Sequence, residues 1–105
     1  MANPTTYNFP GVAAYGGNHS FLNLAAAATT TIKTGSGLLH AINVTTAGAA
    51  GSTITVYDNT AGSGTIIATI DATAIHTYIF DIEFLTGLTV VIAGATAPKV
   101  TFSYL

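Results

Sequence analysis

The sequence predicts an all-β fold, an antiparallel β-sandwich or jelly-roll-like barrel of about seven to eight short strands, preceded by an extended N-terminal arm. Three observations predict it. Apolar and polar residues alternate with a period of two from about residue 30 onward, as in strands with one buried face. Breaks rich in Gly, Asn and Asp recur about every 8 to 12 residues. Thr, Val and Ile, which favour extended chain, fill the segments between breaks, and no segment carries a helical period long enough to stand alone.

Residues 1–27 stand apart as the arm. They hold Asn3, Asn8, Asn18 and Asn23, Pro4 and Pro10, the Gly16–Gly17 pair and four aromatics, Tyr7, Phe9, Tyr15 and Phe21, with little periodicity and no charge. A disordered tail is poor in aromatics and rich in charge, so this composition predicts a segment that docks on its own domain or on a neighbour. Residues 28–105 are read as the β-sandwich domain. Leu24–Ala28 has helical propensity, but five residues cannot sustain a helix and the Thr triplet that follows favours extension.

Within the domain, Leu38, Ile42 and Val44 share one strand face with His40 between them. Ile54 and Val56 define a half-buried strand, opposite Thr53, Thr55 and Tyr57. The run from Asp58 through Gly64 has the composition of a hairpin loop, and further breaks fall at Ala47–Gly51, Thr86–Gly87 and Gly94–Pro98. Tyr78, Phe80, Ile82 and Phe84 form the strongest inward stripe, which turns Ile79, Asp81 and Glu83 outward; Ile67 is likewise read as outward. Val100, Phe102 and Tyr104 alternate in a closing strand.

Composition narrows the function. The 105 residues, enough for one domain, include only two basic and four acidic side chains, or 6% charged, where a free-standing soluble surface carries about 25–35%. Charge depletion marks the buried centres of interfaces, so the chain is expected to be a subunit of a tightly packed assembly. A formal charge of −2 offers no basic footprint for nucleic acid. Mean hydropathy is +0.57, yet no unbroken apolar run approaches the ~20 residues of a membrane-spanning helix. There is no Cys to supply disulfides or thiolate ligands.

Candidate chemistry is sparse. His19, His40 and His76 lack metal-ligand spacing, and alternating acids such as Asp81 and Glu83 are the ordinary pattern of a solvent face. No G-x-S-x-G nucleophile motif occurs, and Gly62-Ser63-Gly64 reads as a turn because it lacks the Lys and following helix of a phosphate loop. Asp58, Asn59 and Asp71 are too few oxygens for calcium. The expectation is a non-enzyme with no cofactor and no metal.

The stretch Gly35, Leu39–Ile42, Ala49, Gly51 and Thr55–Thr60, followed by Gly62–Thr65, Ile66, Ala68, Ile70 and Asp71, resembles small virion proteins of tailed bacteriophages. The likeness continues through Phe80, Asp81, Phe84, Gly87–Val90 and Val100–Tyr104, covering about residues 32–105 in strand and turn phrasing and not in a catalytic signature. It implies a β-sandwich capsid decoration, or cement, protein that binds the major capsid protein on the exterior of the virion and holds the lattice together, as a homo-oligomer and most simply a trimer that closes its contacts in a ring. The residues expected at interfaces are Tyr7, Phe9, Tyr15, Phe21, Ile67 and Ile79. A tail or head-to-tail component shares this composition. A carbohydrate-binding receptor-recognition module is the other alternative, using tyrosines such as Tyr15, Tyr57 and Tyr78 but without any Trp.

Overall fold

The structure, a computed structural model, describes residues 19–105. Eight strands form in this span: β1 (Ser20–Leu24), β2 (Thr29–Thr34), β3 (Gly37–Thr46), β4 (Thr53–Tyr57), β5 (Ile66–Asp71), β6 (His76–Phe84), β7 (Gly87–Ala93) and β8 (Lys99–Tyr104). They make two four-stranded antiparallel sheets in the orders β1-β8-β3-β6 and β2-β7-β4-β5. Successive strands change sheet except at the β4–β5 hairpin, which is the wrapped connectivity of a jelly roll and selects between the two predicted architectures.

The arm as read from sequence ends too late. Residues 20–24 are an edge strand of the first sheet, paired with β8 from Ser20–Tyr104 to Leu24–Val100, so the sheet begins inside the segment assigned to the arm. The apolar pair Leu22 and Leu24 faces inward and Leu24 packs on the core, while Phe21 and Asn23 face out. Tyr7, Phe9 and Tyr15 lie outside the described residues.

The core lies between the sheets. From the first come Leu39, Ile42, Val44, Phe84, Val100 and Phe102, and from the second Ile54, Val56, Ile70, Leu88, Val90 and Ile92, all buried. The alternation of β4 and β8 is as the sequence predicts. Along β6 only Phe84 is fully buried; Tyr78 and Phe80 are half-buried against the core and Ile82 is exposed, because among the described residues no strand pairs with the outer flank of β6.

Two β-bulges explain the other departures. His40 has no counterpart on β8, since Leu39 pairs with Tyr104 and Ala41 with Ser103. On the other side of β3, both Phe80 and Asp81 stand opposite His40, because Leu39 pairs with Ile82 and Ala41 with Ile79. The extra residues therefore accumulate across the sheet, none on β8, one on β3 and two on β6, which bends it locally. Asp81 takes φ +49°, a left-handed conformation that Asp tolerates better than most residues. The bulge breaks the parity of β3, so Leu39 and not Leu38 joins the core. In β5, Ile67 is the extra residue between the pairs Val56–Ala68 and Tyr57–Ile66. It turns toward the core and Ile66 is left exposed, which overturns the reading of Ile67 as outward.

The two ends of the sandwich are closed differently. At one, Ser52 is buried and its Oγ donates to the Thr96 carbonyl, while Gly48 donates to the Ala72 carbonyl and Ala72 to that of Ser52. Gly94 passes beside Ser52 with φ +142°, where a Cβ would collide with the Ser52 side chain. At the other end, Asp58 joins the β4–β5 loop to the β6–β7 turn.

Candidate interaction surface

Asp58 follows β4, and its carboxylate accepts three backbone N–H groups of the β6–β7 turn: Thr86 at 2.8 Å, Leu85 at 3.0 Å and Gly87 at 3.3 Å. The amides of Thr86, Leu85 and Gly87 hold its carboxyl below the usual carboxylate range, against a smaller opposing effect of desolvation. Asn59 organises the same loop, accepting from the Thr60 amide and donating to the Ser63 carbonyl. Thr89 donates to the Asn59 carbonyl. These oxygens are spent on ordering backbone.

That order presents apolar side chains to solvent. Leu85, at the tip of the clamped turn, is 69% exposed; Ile66, beside Tyr57 at the base of the β4–β5 loop, and Ile82, near the top of β6, are also exposed. All three lie at the Asp58 end, where β1 begins with Ser20 opposite Tyr104. Sequence reasoning missed them. Leu85 sits between a strand and a Gly turn, and Ile66 sits next to a second isoleucine, so only the turn contacts and the bulge decide their exposure.

A second apolar feature lies on the outer face of the first sheet. Phe21 pairs with Ser103, Ser103 with Ala41 and Ala41 with Ile79, a straight row across all four strands. Phe21 and Ile79, at the two edges, are 74% and 61% exposed, while the small Ser103 and Ala41 form the floor between them. The sequence predicted both as interface residues, and the fold brings them into one row. The adjacent row is polar, Asn23, Thr101, Asn43 and Thr77, with Asn23 Nδ2 donating to Thr101 Oγ1 at 3.0 Å.

The bulge marks the next position along this face. His40 Nδ1 and Asp81 Oδ1 lie 2.5 Å apart, and the His19 ring stacks on His40 with centroids 4.6 Å apart. No local signal associates these three residues, which are brought together by the β1-β8-β3-β6 order and the doubled bulge. An imidazole held by a carboxylate is one component of acid–base sites. Here the pair joins the extra residues of two adjacent strands and fixes their register. Stacked rings do not aim their ring nitrogens at one point, and no group of three metal-ligating side chains is found among the described residues.

The remaining acids have local tasks. Asp71 accepts from Thr73 Oγ1 at 2.6 Å and the Thr73 amide at 2.9 Å, and these bonds hold its carboxyl below the usual range. Tyr78 donates its hydroxyl to the Asp71 carbonyl. The surface therefore offers two apolar features on a rigid frame, an end and a face.

No protein-family model, curated protein or solved structure matches this chain.

Proposed function

We propose that this protein is a structural component of a tailed-bacteriophage particle, a capsid decoration protein without catalytic activity that binds the major capsid protein on the outside of the shell and stabilises the assembled lattice. The observation that carries the reading is the rigid apolar end: Leu85, Ile66 and Ile82 stand exposed around a turn that Asp58 holds in place, on a chain with only 6% charged residues. Exposed apolar side chains grouped on a fixed frame are what an interface requires. The phage-like phrasing of residues 32–105 points the same way. The jelly-roll connectivity agrees with it as an analogy of fold, since viral capsid proteins and lectins both use this wrapping.

The mechanism is mass action. A protein that binds the lattice and not its separated subunits lowers the free energy of the assembled shell by RT ln(1 + [L]/Kd), about 2.7 kcal/mol per site at 100 times Kd. Pre-ordering the β6–β7 turn through Asp58 lowers the entropy lost when Leu85 docks.

The test is to incubate the purified protein with expanded, undecorated capsids and, in parallel, with polysaccharide arrays, reading stoichiometry by cryo-electron microscopy. Symmetric, saturable coverage of the shell with no glycan signal supports decoration. An empty shell together with a glycan signal overturns it in favour of receptor recognition.

A further inference from the structure

We propose that the outer face of the first sheet is a homodimer interface, in which two copies pack face to face about a two-fold axis. The inference rests on the reading of this chain as an assembly subunit, and it assigns that assembly a surface, a partner and a symmetry. The two-fold replaces the trimer that the phage-like resemblance made the simplest closed ring.

Three features of the face select a second copy as the occupant. The first is relief. The Phe21–Ser103–Ala41–Ile79 row is high at both edges and low in the middle, and Ala41 is only 4% exposed despite its outward position. A half-turn about an axis running along the row keeps each edge on its own side, so Phe21 of one copy meets Phe21 of the other and Ile79 meets Ile79, and the exposed apolar side chains bury one another.

The second is charge. The Phe21 row and the neighbouring Asn23–Thr101–Asn43–Thr77 row carry no charged residue. Lys99 lies beyond the polar row, and Asp81 and Glu83 lie beyond the apolar row, so the face is neutral in the middle with opposite signs at its ends. A half-turn about an axis lying across the strands reverses one face against the other. It carries Lys99 of each copy toward the acidic end of its mate, whereas a copy laid on in the same direction would set like charges together.

The third is area. Four strands about 4.8 Å apart, of 5, 6, 10 and 9 residues at about 3.3 Å each, cover roughly 500 Å² before side-chain relief is counted. That is more than half of the roughly 800 Å² that each partner contributes to a standard interface. Polar small residues in the floor suit a face that exchanges water for a partner and is not permanently covered within one chain.

The test uses the free full-length protein in solution, so it is independent of whether the protein binds capsids. Sedimentation equilibrium should give twice the 10.6 kDa chain mass at micromolar concentration. Ile79→Asp should raise the dissociation constant at least about 30-fold, while Leu85→Asp, at the end and off the face, should leave it unchanged within about twofold. Lys99→Glu alone should weaken the dimer about fivefold, and Lys99→Glu with Glu83→Lys should restore it, a rescue that a merely structural effect would not produce. Circular dichroism and a urea midpoint confirm that each variant is folded. A monomer at 100 micromolar, a trimer mass, or a dimer indifferent to Ile79→Asp would each overturn the proposal. A dimer that fails to coat capsids would leave this interface standing and remove the decoration reading.

Discussion

The carboxylate of Asp58 and the backbone amide of Thr86 meet at 2.8 Å across 28 residues of chain. The bond ties a hairpin loop of the second sheet to the turn through which the chain passes from the first sheet back to the second. With the Leu85 and Gly87 amides as further donors, one side chain closes an entire end of the sandwich.

Acid should loosen that end. The Asp58 carboxyl is held below its ordinary value of 3.8 by the Thr86 and Leu85 amides, and that of Asp71 by Thr73. A carboxyl whose folded pKa is depressed contributes stability that is fully present above the unfolded value, and it is lost as pH falls through the lower folded value. Unfolding free energy from urea titrations should thus lose the contribution of these two carboxyls from about pH 4 downward. Asp58→Asn should be less stable than the parent at pH 7, with the difference narrowing toward pH 2. A constant difference at all pH values would show that the charge on Asp58 is irrelevant.

Core truncation should separate the two phenylalanines of β6. Phe84 is fully buried, so Phe84→Ala should cost about 3–5 kcal/mol in urea denaturation. Phe80 is half-buried on the edge strand, and Phe80→Ala should cost about 1–2 kcal/mol. Equal losses would mean that the bulge does not hold Phe80 at the rim of the core.

Gly94 tests the opposite end. Its φ of +142° and the adjacent Ser52 leave no room for a Cβ, so Gly94→Ala should destabilise by about 1–3 kcal/mol. Gly94→Ala combined with Ser52→Gly should recover the steric part and not the conformational part. Full recovery in the double variant would show that backbone strain contributes nothing.

Leu85 and Ile66 should matter for assembly and not for folding. Both are exposed, so Leu85→Asp and Ile66→Asp should shift stability by no more than about 0.5 kcal/mol. Under the decoration reading each should lower capsid occupancy at least about tenfold in co-sedimentation. Unchanged occupancy would move the capsid-binding surface away from the Asp58 end.

Much of the fold is legible in the residues, and its limits have physical causes. Alternation locates Ile54 and Val56, and Val100 and Phe102, because those strands run without interruption. It fails at Leu38 and Leu39 and at Ile66 and Ile67, where one extra residue reverses which side of the strand faces inward. Phe21 and Ile79 are readable as exposed apolar positions, but their common row depends on pairings between distant strands. The His19–His40–Asp81 grouping has no local signal at all, because three different strand registers create it.

The wrapped strand order also governs how the chain reaches this state. Among the described strands only β4 and β5 pair with a neighbour in sequence; every other ladder joins segments far apart, as in the pairing of Ser20 with Tyr104. Chain entropy is surrendered before such contacts form, so topologies of this kind fold in milliseconds to seconds and not microseconds. The hairpin can nucleate early, whereas β1 has no partner until the last strand is in place. During synthesis β8 must leave the ribosome before the first sheet can close.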